Sequence, residues 1–390
     1  MNKKTNQIKL VNDTVSKNDI DYLVDWLKTY PRLTKGPITR KLEEKFAKKM
    51  GSKYSVFCNS GSSANLLMLQ CILENQLVSK NSKVVVPALA WATDYSPVVQ
   101  LGYQPILCDI NLQNLSIDLD HFEQICIEEK PSALILVSVL GLVPEMSKII
   151  NLCEKYGVIL IEDNCESLGS SSEKKLLGNF GLMSSFSTYF GHHISTIEGG
   201  FITTNNREAY QTLLMIRNHG WDRDLDKETQ EKLRKKWNIN SFNSLYTFYL
   251  NGFNCRSTDL QAYIGLRQID KIDSIVNQRN KNFFHYLDHI EENMLDIAVR
   301  EHDFISNFAY PILSEKKDKI VKALIDNNIE VRPLISGSIG NQPFYIKDFG
   351  RLELPNVNLV DKFGFYIPNH PDLDESDIIF ISKIINGENL

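Results

Sequence analysis

Tyr54-Ser55-Val56-Phe57-Cys58 runs directly into Asn59-Ser60-Gly61-Ser62-Ser63-Ala64 and then into Asn65-Leu66-Leu67-Met68-Leu69-Gln70-Cys71-Ile72-Leu73. A short β-rich run, a Gly/Ser turn and a helix-length apolar stretch read as strand, turn and helix. The alternation recurs outward from this point, in KVVVPAL (83–89), PILCDI (105–110), ALILVSVL (133–140) and VILIED (158–163). Between the last two, Met146, Ile149, Ile150, Cys153 and Tyr156 sit at helical spacing and Gly157 stops the helix. Strands separated by helices indicate a parallel sheet covered on both faces. Further strands are predicted at 184–189 and 201–204. A large α/β domain over 1–260, a long connecting helix over 260–286 and a smaller α+β unit over 261–390 follow from this reading. The charged stretch DRDLDKETQEKLRKK (222–236) reads as a solvated surface helix without a catalytic role.

With 390 residues the chain exceeds the roughly 250–300 at which single cores stop growing, which agrees with two domains. Hydrophobic residues at 43% and charged residues at 23% place it with globular proteins. A net charge of -5 gives no basic footprint for nucleic acid or an anionic membrane, so an anionic ligand must be held locally. The opening MNKKTNQIKLVNDTVSK lacks an apolar core, and no secretory leader is expected. The richest apolar run, 133–143, is far short of the ~20 residues a membrane span needs. Seven cysteines without a C-x-x-C or C-x-C pair argue against a disulfide framework or a zinc or iron-sulfur motif, and favour a reducing, cytoplasmic setting.

Three features lie at predicted strand ends, where open α/β sheets place their ligand crevice. The first is the turn 59–64, whose free N–H groups, helix dipole and Ser62 hydroxyl suit a phosphate; alone, it reads better as a serine cap with a glycine turn. The second is Asp163, a carboxylate ending an apolar strand, which calls for a cation such as a protonated pyridine nitrogen or else caps the next loop. The third is Ser184-Ser185-Phe186-Ser187-Thr188-Tyr189-Phe190-Gly191-His192-His193, followed by Ile197-Glu198-Gly199-Gly200. Adjacent histidines are a poor chelating pair, so no metal site is expected there, and either ring alone is more often structural than catalytic. An imidazole with an ordinary pKa near ~6.5 nevertheless suits proton transfer.

These segments, with PALAWATDYSPVVQLGYQPILCDI, VILIEDNCESLGS, the RNHG at 217–220 and NGFNCRSTDLQAYIGLRQI, resemble the DegT/DnrJ/EryC1/StrS sugar aminotransferase family in order and spacing from about residue 20 onward. The resemblance implies the aspartate-aminotransferase fold, pyridoxal-phosphate fold type I, with a mostly parallel seven-stranded sheet in the large domain. It implies pyridoxal or pyridoxamine 5'-phosphate as cofactor. Gly61, Ser62 and Ser187 become phosphate anchors, Trp91 the aromatic over one cofactor face, Asp163 the pyridinium partner and Glu166 a neighbour of the ring. Asn254 is matched to the asparagine that reaches the cofactor phosphate of a neighbouring subunit, which implies a homodimer with shared sites.

The chain departs from the family where ordinary members read S-F-x-x-x-K-N-I: His192 stands at the lysine. An imidazole cannot take the lysine's covalent link to the cofactor aldehyde. A histidine here marks the family's sugar 3-dehydratases and implies deoxygenation at C3 of a nucleotide-linked 4-keto-6-deoxy sugar, with His192 as catalytic base, glutamate recharging the cofactor and ammonia released. Lys174 and Lys175, in the polar turn SSEKKLLGN, read as solvent-facing and not as substitutes. Cys255 has Asn254 and Arg256 beside it and no C-x-C partner, which separates the chain from the iron-sulfur CDP-sugar type and favours a GDP-linked substrate. Arg332 and His219 are implied as contacts of the nucleotide sugar. Gly337-Ser338 replaces the Gly-Asn of relatives, so the sugar stays open between hexose and heptose. A sugar 4-aminotransferase and a noncatalytic binding subunit are the competing readings.

Overall fold

The computed structural model describes residues 7–388, so the first six residues of the stretch searched for a leader, and the last two of the chain, lie outside the described residues. The strands are β1 Tyr54–Cys58, β2 Lys83–Pro87, β3 Gln104–Cys108, β4 Ala133–Val137, β5 Ile159–Asp163, β6 Ser171–Ser172, β7 Lys175–Leu176, β8 Met183–Ser187, β9 Gly200–Thr204, β10 Tyr310–Leu313, β11 Arg332–Pro333 and β12 Gly364–Ile367. Seven of them form one sheet in the order β1-β9-β8-β5-β4-β2-β3. Only β9 runs against its neighbours, and every other pairing in that sheet except those of β9 is parallel. All positions of β4 and β9 are buried, as the unbroken apolar run ALILV requires of a strand covered on both faces.

The helix predicted from residue 146 spans Met146–Tyr156, buries Met146, Ile149 and Cys153, and closes on Gly157 in the left-handed region at φ 67. The solvated helix is observed as Lys227–Lys236, with no buried residue. The long connector is the helix Asp259–His289, capped by the Thr258 side chain on the Gln261 N–H. The boundary expected at 260/261 falls in its first turn. β10, β12 and β11 form a second, antiparallel sheet, and Ile8 from the start of the chain pairs beside it with Ile329.

β1, β5 and β8 are parallel to one another through the sheet and end at Cys58, Asp163 and Ser187, while antiparallel β9 begins at the same edge with Gly200 opposite both Cys58 and Ser187. The three features singled out in the sequence therefore open on one crevice.

Candidate active site

At the β1 end the helix Gly61–Glu74 starts at the crevice. Its cap is Ser60, whose Oγ accepts from the Ser63 N–H at 3.0 Å. Because Ser60 does the capping, the Ser62 hydroxyl is directed elsewhere, to Thr93 Oγ1 at 3.2 Å. The first N–H groups of a helix lack intrahelical acceptors and face the positive end of the dipole. A methyl at Gly61 would meet Ser187 Cβ at 2.8 Å and the Cys165 sulfur at 2.9 Å; at Gly200 it would meet the Ser60 carbonyl carbon at 2.4 Å. The glycines thus bring helix start, β8 and β9 into direct contact. Gly61 packs on Ser187, and Ser62 follows it in the first turn of the helix.

At the β5 end Asp163 is 6% exposed; its Oδ1 accepts from the Cys165 N–H at 2.8 Å and its Oδ2 from Asn65 Nδ2 at 2.6 Å. The same Asn65 nitrogen lies 3.0 Å from Asp94 Oδ1. No lysine, arginine or histidine forms an ion pair with either acid among the described residues. Burial first, and then the Asp163 charge, push Asp94 well above the usual carboxylate range. Glu166 accepts from the Leu140 N–H at 2.8 Å; burial pushes it up to about 7, with the Asp163 charge adding to the rise and the Leu140 N–H opposing it.

His192 and His193 diverge. The buried His193 ring holds the Ser306 carbonyl through Nε2 at 3.1 Å, a structural contact of its own loop with 306. His192 lies against Phe308, ring centres 5.2 Å apart, and its buried Nδ1 has no partner. Burial lowers His192 to about 4, against the pull of the Asp163 charge and the Cys165 carbonyl. The imidazole is therefore a neutral base at pH 7, below the near-neutral value expected from sequence. Its surroundings are fixed from behind. Leu140, in the left-handed region at φ 52, accepts at its carbonyl from the Phe308 N–H at 2.9 Å and Asn307 Nδ2 at 2.7 Å while its N–H holds Glu166. The Arg279 guanidinium in turn donates to the Phe308 carbonyl at 2.6 Å.

Trp91 is 58% exposed, so it is not a core residue, and its N–H donates to Asp94 Oδ2 at 3.0 Å. Asn254 and His219 form a separate group at the surface: Asn254 Oδ1 accepts from Arg256 Nε at 2.9 Å, and Arg256 Nη2 lies 3.4 Å from His219 Nε2. Within one chain these two are not brought onto the carboxylate end. Arg332 is exposed on β11, beside Tyr366 of β12. Burial pushes Tyr366 up to about 12, the Glu166 charge adding to the rise and Arg332 opposing it, which connects the small sheet to the crevice. Lys174 and Lys175 are exposed, as expected. Asn65, Thr93, Asp94, Leu140, Phe308 and Tyr366 were not found from sequence; only Asp94, an acid amid ALAWAT and YSPVV, left a local signal.

A crevice with helix N–H groups and hydroxyls at one end, and two buried acids without a cation at the other, fits a group carrying a phosphate and a protonated ring nitrogen. The unpartnered His192 Nδ1 and Asn65 Oδ1 beside those acids mark where such a ring belongs. Sheet order and site together define the aspartate-aminotransferase class, fold type I. The chain belongs to the DegT/DnrJ/EryC1/StrS aminotransferase family, which it matches over residues 14–386. It is 33% identical over 347 residues, 86% of this chain and 89% of the relative, to the GDP-4-keto-6-deoxy-D-mannose 3-dehydratase of Escherichia coli O55:H7 (strain CB9615 / EPEC). A GDP-4-keto-6-deoxymannose-3-dehydratase solved with a trapped PLP-glutamate geminal diamine superposes with TM-score 0.89 at 29% identity, covering 97% of this chain and 100% of that one. A histidine-to-asparagine variant of such an enzyme with bound GDP-perosamine gives TM-score 0.87 at 28% identity, covering 97% and 100%.

Proposed function

We propose that the chain is a pyridoxamine-phosphate-dependent 3-dehydratase of GDP-4-keto-6-deoxymannose, recharged by L-glutamate. The observation that carries this reading is His192: a neutral imidazole with its Nδ1 free, where aminotransferases of the family place a lysine. Overall, the sugar loses its C3 oxygen as water, glutamate is oxidised by two electrons to 2-oxoglutarate, and its nitrogen leaves as ammonia. The cofactor, when bound, supplies an amine for the C4 ketone and an electron sink.

The roles of the chain's own residues follow. Gly61, Ser62 and Ser187 hold the phosphate, with Thr93 orienting Ser62, and Asp163 faces the ring nitrogen. Trp91 offers its exposed indole to one ring face. Glu166, pushed up to about 7, is partly protonated at neutral pH and donates or accepts beside the ring. His192 takes a proton through its free nitrogen and hands it to the C3 hydroxyl as it departs. A lysine there would link covalently and favour transamination, whereas imidazole moves the proton without capturing the carbon. Arg332 and His219 contact the nucleotide sugar, and Asn254 reaches the cofactor phosphate of the partner subunit.

That assignment makes the working unit a homodimer, supported by the exposed Tyr246 and Phe248, which adjoin Trp221 and Arg256 next to Asn254. Seven unbridged cysteines support a cytoplasmic setting, and the deoxygenated product is suited to a lipopolysaccharide O-antigen sugar such as colitose. Incubation with pyridoxal phosphate, glutamate and GDP-4-keto-6-deoxymannose tests the reading. Free ammonia and a product lighter by one oxygen are expected; a 4-amino sugar contradicts it.

A further inference from the structure

Asp94 has no role in the reading above, yet it is the most deeply buried acid of the crevice, 1% exposed against 6% for Asp163. The two carboxylates share one amide nitrogen: Asn65 Nδ2 stands 2.6 Å from Asp163 Oδ2 and 3.0 Å from Asp94 Oδ1. Each remaining oxygen is taken by one backbone N–H, that of Cys165 for Asp163 and that of Trp91 for Asp94. Asn65 itself is 3% exposed and its Oδ1 has no partner, and this uncharged amide between the acids cannot neutralise either of them. Two like charges in so dry a place cannot both persist, and the proton stays on the one that is harder to hydrate.

We propose that Asp94 is carried as the neutral acid at pH 7 and donates its proton to Asp163, so that the pair presents one negative charge to the crevice. A single anion matches a single protonated ring nitrogen, and Asp163, already bonded to Asn65 and Cys165, is held in place by Asp94 from behind. Asp94 is then a positioning residue acting through Asp163. The consequence for cofactor charge rests on the functional reading; the protonation state does not. The ionisable groups facing the pair are Cys165 and Glu166 beyond β5 and His192 beyond β8. Burial pushes Asp94 the same way as the like charge does.

The test uses the cofactor-free full chain, so its outcome is separate from turnover of any sugar. Unfolded Asp94 ionises near ~4, so a folded state that keeps the proton loses stability as pH rises above that value. Asp94→Asn keeps a donor and removes the proton. The melting temperature of D94N minus that of the wild type is expected to rise from pH 5 to pH 8 by roughly 1–2 °C per pH unit, the limit for one proton in a chain of this size. The contribution of Glu166 is common to both chains and cancels. Difference infrared spectra at pH 7 are expected to lose one protonated-carboxyl band in D94N. Should D94N fail to fold, carbon-13 aspartate labelling of the wild-type chain reads the same band apart from Glu166. Parallel melting curves, or no protonated aspartate at pH 7, overturn the proposal.

Discussion

The proposed reaction concentrates its chemistry in the His192 side chain, and the burial of that residue makes two consequences measurable. Replacing it with asparagine removes the proton acceptor while keeping a similar shape against Phe308. His192→Asn is expected to lower the rate of ammonia release by about 10²–10⁴ with an unchanged circular dichroism spectrum. The same residue shapes acid stability. Its folded pKa is about 4 against an unfolded value near ~6.5, so its contribution is present above 6.5 and is lost as pH falls through about 4. Glu166 has the opposite sign: raised to about 7, it contributes stability that is present below its unfolded value near ~4.3 and is lost as pH rises through about 7. Between about 4.5 and 6.5 the two slopes oppose each other. Glu166→Gln is therefore expected to steepen the fall of melting temperature on acidification, and His192→Asn to flatten or reverse it. Melting curves over pH 4–8 check both.

Among elements, the start of the helix Gly61–Glu74 separates stability from binding. Ser60 caps the helix and Ser62 does not, so Ser60→Ala is expected to cost about 1 kcal/mol in denaturant unfolding. Ser62→Ala is expected to stay within about 0.5 kcal/mol while weakening pyridoxal phosphate affinity. This division was not readable in Ser60-Gly61-Ser62-Ser63, where any serine could cap; the choice depends on Gly200, which packs on the Ser60 backbone from 140 residues away along the chain. The helix Met146–Tyr156 was legible because every signal for it is local: apolar spacing, then a glycine able to adopt positive φ. Asp163 was legible as a carboxylate ending an apolar strand. Asp94 and Asn65 were not, because a buried polar residue shows its partners only after the strands are laid side by side.

At the scale of the molecule, a buried cation ties the long connecting helix to the segment that backs His192. Arg279, on the long helix Asp259–His289, donates to the carbonyls of Phe308 and Asn369 and has no ion-pair partner among the described residues; burial lowers it to about 9. Removing it leaves buried carbonyls without donors at about 1–3 kcal/mol each. Arg279→Met is expected to lower stability by about 3 kcal/mol and to reduce turnover, because Phe308 backs His192. The Glu166 charge reaches Tyr366 of the small sheet in the same way: two hundred residues separate the pair, and no periodicity in either segment announces it.

The central claim, that His192 directs the chemistry to loss of the C3 oxygen, is tested most directly by following the nitrogen. With nitrogen-15 glutamate, pyridoxal phosphate and GDP-4-keto-6-deoxymannose, the label is expected in free ammonia, one equivalent for each sugar that has lost an oxygen, with none in the sugar product. Label retained at C4 of a sugar that keeps its C3 oxygen would contradict the account and make the chain an aminotransferase.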